Sequence, residues 1–296
     1  MSTFVLLTIT GLGLGAMYFL IASGLSLIYG LMGVLNFAHG AFLTVGSYAS
    51  WWTSVNLFDG IHSILVRFLL GALCGLLAGA VFAALVELVL IRPLYRRHIE
   101  QVLVTVGLSL AFVALIEGIW GPSLRSYAVP PWLHRTTTIG GAHIPNDRFV
   151  EITTAAVVLV LLQLFLRRTR YGLIIRAGVE NRAMVTALGI DVRKAFTLVF
   201  ALGGVAAAIA GVLSGVYFNT IDPSQGTSLL IFAFIVVVIG GLGSIGGSAV
   251  AAVVVGLLQQ YVNYYASSGI GDMAVVLLLG LVLLARPRGL AGAFAT

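Results

Sequence analysis

Charge is scarce in this chain. Of 296 residues only 9% are Asp, Glu, Lys or Arg and 60% are hydrophobic, whereas a soluble domain carries roughly 25% charged residues. The mean hydropathy is +1.09. A single soluble core cannot bury that much apolar surface, so most of the chain must span a membrane. Cysteine is nearly absent: Cys74 stands alone in a Gly-rich apolar segment, which excludes an internal disulfide and any Cys/His metal pairing. The five histidines (His39, His62, His98, His134, His143) show no metal-ligand spacing. There is no Walker-type phosphate loop of glycine, four residues, glycine, lysine and a hydroxyl residue, and no GxSxG nucleophile motif. Gly241, Gly243 and Gly246 match GxGxxG literally, and Gly11, Gly13 and Ala16 match its looser form. Both lie between span-length apolar runs instead of in a βαβ unit, which excludes a dinucleotide site. A basic leader is lacking too, and the apolar stretch from Phe4 outruns a signal-peptide core, so the first segment is expected to stay in the protein.

What charge there is lies unevenly. The net charge is +6, and inner-face arginines account for it better than nucleic acid does. Apolar runs long enough for a hydrocarbon core about 30 Å thick fall at approximately 4–29, 37–56, 64–91, 101–120, 149–168, 195–217, 228–241, 247–266 and 271–285. Between them the basic residues alternate. Arg92, Arg96, Arg97, the stretch 167–194 with seven Lys and Arg, Arg286 and Arg288 fall on one side; Arg67, Arg125, Arg135 and Arg148 fall on the other. Lys and Arg near span ends set orientation, so the first side is expected to be cytoplasmic, with the C-terminus inside. The main outer excursion is then 121–148, and Trp51, Trp52, Trp120 and Trp132 all fall at outer boundaries, where amphipathic rings prefer to lie. The fold expected is all-α: a single-domain polytopic transmembrane bundle over 1–296 with eight or nine membrane segments. The uncharged N-terminal stretch leaves its own side open.

Two places interrupt the apolar pattern. Segment 30–41 sets Asn36 and His39 among Gly30, Gly33 and Gly40, and segment 240–247 holds five glycines. Non-helical backbone at membrane depth is tolerated only where protein or a water-filled cavity satisfies it, and such breaks mark transport sites. The plainer alternatives are a tight interhelical turn at 240–247 and helix-bridging side chains at Asn36 and His39. Glycines at 71, 75 and 79, and at 211 and 215, read as close helix packing in lipid. Glu87 is an acid inside an apolar span, shortly before Arg92. An intramembrane ionisable group is a functional hypothesis by default, but pairing with Arg92 is the simpler reading. Without a chain of buried acids, proton coupling has little support.

The runs GLSLIYGLMGVLNFAHGAFLTVGSYAS (24–50), RRTRYGLIIRAGVENRAMVTALGIDVRKAF (167–196) and GGLGSIGGSAVAAVVVGLLQ (240–259) resemble the permease subunits of bacterial branched-chain amino acid ABC importers. LNFAHG is closest to the LivH type of the permease pair. The resemblance implies an inner-membrane machine in which this chain binds no cofactor. Its partners would be a second, LivM-type permease, two cytoplasmic ATPase subunits that bind the ATP, and a periplasmic substrate-binding protein. It implies a coupling helix at about 177–189, with Glu180, Asn181, Arg182, Met184 and Leu188 touching the ATPase and Gly189 ending the helix. Helical spacing puts Met184 and Leu188 on one face, with Glu180 one turn earlier. The expected translocation pathway runs past Asn36, Phe37, His39 and Phe42. Permeases for urea or short amides look very similar. A secondary transporter would need more buried charge, and an enzyme would need convergent polar groups at depth.

Overall fold

A computed structural model describes residues 2–33, 35–95, 97–187, 189 and 192–291, and for 31 and 179–183 the backbone alone. The helices are α1 (Ser2–Met32), α2 (His39–Asn56), α3 (Ile64–Val86), α4 (His98–Trp120), the short α5 (Pro131–His134), α6 (Asn146–Arg168), α7 (Arg170–Ala187), α8 (Val192–Phe218), α9 (Gln225–Gly240), α10 (Ile245–Tyr265) and α11 (Ile270–Ala285). The strands are short: β1 (Arg125–Ser126) pairs antiparallel with β4 (Thr220–Ile221), and β2 (Thr136–Ile139) pairs with β3 (Ala142–Pro145). All nine expected segments reappear as helices. By length and composition six are long and apolar enough to cross a membrane, while α9 and α11 are shorter apolar helices.

The start of α1 lies against β3, and its last turn meets the link between α9 and α10. This fixes the relation that charge alone left open: the N-terminus shares an end of the bundle with the β2–β3 hairpin, opposite α7. The four outer-type arginines belong to the hairpin end, and the other described basic residues belong to the α7 end. Trp51, Trp52, Trp120 and Trp132 sit toward the hairpin end, as expected from their boundary positions.

Among the six long spans α1 and α8 are the most buried, and α4 and α6 expose most of their surface. The core joins Met17, Leu20 and Leu25 of α1 to Phe196, Val199 and Phe200 of α8 and to Val236 and Val237 of α9. On the outside, Leu69, Leu73, Leu77, Val81 and Leu85 form an exposed apolar stripe along α3, a face that only lipid or another apolar surface can cover favourably. The small residues do what their spacing suggested. A Cβ on Gly79 would sit 2.6 Å from the Ala208 methyl, and one on Gly204 would sit 2.5 Å from that of Ala83. The α3–α8 seam is therefore closed by backbone contact, which replaces the hydrophobic drive that is missing between helices in lipid.

The two breaks differ in kind. Segment 240–247 is a tight turn: Gly241 and Gly243 take left-handed φ of +99° and +83°, and Ser244 caps α10 by accepting from Gly247 N at 3.0 Å. The other break is longer. Past Gly33, at φ +66°, the chain leaves the helix and resumes at His39, whose ring touches the Ile21 carbonyl. Ile21 lies eleven residues before the end of α1, about 16 Å at 1.5 Å per residue. Helix α2 therefore begins inside the bundle, far from the α7 end. Gly226, in the first turn of α9, packs on Gly40, so α9 begins at the same depth and runs the other way.

Candidate translocation path and coupling surface

The unwound segment is satisfied by its own side chains and by α4. Asn36 Oδ1 accepts from Ala38 N at 3.0 Å, and Phe37 N donates to Thr105 Oγ1 at 3.3 Å. The Asn36 Nδ2 amide is buried with no hydrogen-bond partner among the described residues. His39 is fully buried, and its Nε2 lies 3.1 Å from the Ile21 carbonyl oxygen. A carbonyl only accepts, so Nε2 carries the proton. Phe42 is also fully buried, edge-on to His39 at 5.5 Å and to Phe82 at 5.8 Å. The four expected pathway residues thus divide. His39 and Phe42 pin the start of α2 to α1 and α3, Phe37 lines an apolar cavity, and Asn36 is buried beside a void of about 10 Å³.

Free volume lies beside α9 and near both of its ends. At the hairpin end a pocket of about 340 Å³ is lined by Leu124, Phe218, Asp222, Gln225, Ser228 and their neighbours. Deeper, an apolar cavity of about 220 Å³ lies between Phe37, Val106, Leu110, Thr227, Ile231 and Phe234. A small void beside it is bordered by Asn36, Phe37, Leu230 and Phe234. At the α7 end, about 370 Å³ opens between Ser26, Gly30, Gly33, Arg176, Leu242 and Gly243. Both glycine-rich breaks line this last cavity, since Gly30 and Gly243 pack backbone to backbone. Free volume therefore lies at the start of α9, along its side, and beyond its last residue, where the α9–α10 link lines the cavity.

At the α7 end, Glu87 is fully buried and opens a π-helical turn, Glu87–Ile91. Arg92 Nε lies 3.4 Å from its Oε1, which is the pairing expected from sequence. Sequence reasoning missed the other partners. Thr197 Oγ1 donates to Glu87 Oε2 at 2.7 Å, Tyr95 OH donates to Oε1, and Arg92 Nη2 donates to Thr197 Oγ1 at 2.9 Å. Burial, together with the Glu87 carboxylate, pushes the Tyr95 phenol above its ordinary range. The cluster locks α3 to the first turns of α8 directly after α7. Two more polar contacts inside the bundle join residues far apart in sequence. Arg148 pairs with Glu151 at 3.2 Å and lies 3.5 Å over the Tyr217 ring. Tyr18 donates to Gln259 Oε1 at 2.8 Å, and Gln259 in turn donates to Asp272 at 2.5 Å.

Helix α7 starts seven residues before the expected 177. Its cap is Thr169, whose hydroxyl accepts from Gly172 N at 3.0 Å. Past its end Gly189 takes a left-handed φ of +79° and donates to the Thr186 carbonyl at 3.0 Å. Ile175 and Val185 turn inward, while Met184 is 63% exposed. Leu188 and the side chains of Glu180, Asn181 and Arg182 lie outside the described residues. No group of three His, Cys, Asp or Glu able to hold a metal occurs among the described residues.

Residues 7–286 match the family model described as branched-chain amino acid transport system / permease component. The chain is 30% identical over 287 residues to the high-affinity branched-chain amino acid transport system permease protein LivH of Salmonella typhimurium, covering 95% of this chain and 93% of that one. It is 29% identical over 291 residues to the corresponding protein BraD of Pseudomonas aeruginosa, covering 96% and 94%. It is 28% identical to the probable permease LivH of Methanocaldococcus jannaschii, covering 92% and 88%. No solved structure matches the chain significantly.

Proposed function

The chain belongs to the branched-chain amino acid permease family, and from that premise we propose that it is the membrane-spanning permease subunit of an ATP-driven importer for leucine, isoleucine and valine. One observation carries the reading: the family match runs over 7–286, from the first helix to the last. The protein is a multi-pass membrane transport component and not itself an enzyme. ATP hydrolysis belongs to two separate cytoplasmic subunits, the pathway is shared with a second, LivM-type permease, and a periplasmic binding protein delivers the substrate. This chain binds no cofactor.

In this reading the α7 end faces the cytoplasm with the C-terminus, because it collects the excess of arginine. Helix α7 is the surface the ATPase grips: Met184 projects from it, its backbone holds Glu180, Asn181 and Arg182, and Leu188 follows before Gly189. Movement of α7 is felt at once by the neighbouring Glu87–Arg92–Thr197 lock and by the Gly30–Gly243 contact that borders the inner cavity. Substrate passes along α9. Phe37 and Asn36 form the weakly polar middle of the route, while His39 and Phe42 hold α2 in place beside it. A route with apolar walls need not bind tightly, since the binding protein supplies the affinity.

Uptake of labelled leucine, urea and short amides by the complex reconstituted with its co-purifying ATPase subunits tests the proposal. ATP-dependent leucine uptake is the expected result. Urea uptake in its place moves the substrate within the family, and uptake that survives without any ATPase subunit overturns the reading.

A further inference from the structure

We propose that the pocket where α9 begins, at the hairpin end, is a subsite for the ammonium group of a free aliphatic amino acid; the inference rests on the transport reading and adds to it the group that is recognised. The β1–β4 pair sets its position by pairing Arg125 with Ile221, which brings Leu124 toward Asp222, where the chain turns into α9. Asp222 Oδ1 is committed to that turn, accepting from Ser224 N at 2.7 Å and from Ser224 Oγ at 2.5 Å. A carboxylate at a helix N-terminus is favourable for the helix alone, and that would account for Asp222 if nothing else were present.

Two further acceptors are present. The second Asp222 oxygen enters no ion pair among the described residues. Arg125, on the paired strand, is directed elsewhere: it donates to the Trp120 carbonyl and lies 5.8 Å over the Trp51 ring. At the first residue of α9, the Oε1 atom of the partly exposed Gln225 is buried and has no hydrogen-bond donor among the described residues. A buried acceptor left unmade costs about 1–3 kcal/mol. A donor group entering the pocket would recover that energy. The set offers a negative charge and a neutral acceptor, and neither Lys nor Arg is among the described residues that line the pocket. A carboxylate is repelled there, urea leaves the charge uncompensated, and an ammonium with three N–H donors satisfies both.

The remaining walls fit the rest of such a molecule. Phe218, Leu124 and Leu229 provide an apolar side for a branched aliphatic chain. Ser228 and Leu229 directly precede Leu230 and Ile231, which line the next cavity along α9. A molecule leaving the ammonium subsite therefore meets an apolar space directly below it.

The test uses the complete complex in nanodiscs, with Cys74→Ser and Ser228→Cys in this chain. An impermeant maleimide is applied, and labelling of this chain is followed by mass. Leucine and 3-methylbutylamine, both of which carry the ammonium, are expected to slow labelling several-fold, whereas 4-methylpentanoate, which has only the carboxylate, leaves it unchanged. Adding Asp222→Asn or Gln225→Leu is expected to abolish the protection while labelling without ligand stays the same. Equal protection by 4-methylpentanoate, no protection by the amine, or protection that survives Asp222→Asn each overturns the subsite. Leucine uptake by the same complex is measured alongside: its absence fails the transport reading, and its presence with indifferent labelling fails only this inference.

Discussion

Gly40 and Gly226 meet inside the bundle with no side chain between them. A Cβ on Gly40 would stand 2.5 Å from the Gly226 carbonyl oxygen. The two residues start α2 and α9, helices that leave the same depth in opposite directions. Two helices can begin at one point inside an apolar protein only if their backbones touch, because any intervening side chain would splay them and expose polar groups to lipid.

Gly40→Ala and Gly226→Ala should therefore both destabilise the protein, by about 1–3 kcal/mol or more, the usual cost of overpacking. Gly107→Ala and Gly118→Ala, which meet nothing within 4 Å, should not. Thermal unfolding of the detergent-solubilised protein measures the difference. Equal stability across all four variants would show that the contact does not constrain the fold.

The Glu87 cluster makes a second prediction. Thr197→Val keeps the shape but removes a donor to a fully buried carboxylate, and hydrogen bonds to charged groups contribute about 1.5–3 kcal/mol. Thr197→Ser should retain most of that stability. If the valine variant unfolds at the same temperature as the parent, Arg92 and Tyr95 suffice and the α3–α8 lock is weaker than drawn.

Sidedness is checked with single thiols in the Cys74→Ser background. Asn181→Cys should react with an impermeant reagent only in inside-out vesicles, and Gly60→Cys, at the hairpin end, only in intact spheroplasts. The reverse pattern would invert the orientation.

Coupling is tested on α7. Met184→Gly and Glu180→Arg should leave the chain inserted and assembled yet reduce substrate uptake at least about tenfold, the size of effect that a lost contact of about 1.4 kcal/mol produces. Full uptake with normal stimulation of ATP hydrolysis in both variants would remove α7 from the coupling role.

The break at 33–38 separates two kinds of residue. Asn36→Ala should lower uptake while assembly stays intact, because the Asn36 amide nitrogen has no partner among the described residues and borders a small void next to α9. His39→Phe should lower assembly and uptake together, because it breaks the bond to the Ile21 carbonyl in the core. If uptake of the Asn36 variant falls only in step with assembly, Asn36 is structural and the path does not pass it.

Much of this was legible in the sequence, because the bilayer is a severe solvent. Apolar runs had to become helices, and each of the stretches expected from length and composition is one. Arginine placement separated the two ends of the bundle, and glycine spacing announced the α3 seam. The Glu87–Arg92 pair was local enough to read from separation along the chain. What remained hidden was every relation across distant sequence. Thr197 and Tyr95 join Glu87, Gln259 links Tyr18 to Asp272, and Arg148 finds Tyr217, all at meeting points that no periodicity encodes. The same limit applied to the glycine breaks. Sequence marked 30–41 and 240–247 as exceptions, but only tertiary packing made one a tight turn and the other a half-way helix start, because depth in a bundle depends on which backbones approach. Packing also divided the four expected pathway residues. It buried His39 and Phe42 in the core, enclosed Asn36 beside a small void, and left Phe37 on the open volume along α9, a choice made by neighbours brought in from α1, α3 and α4.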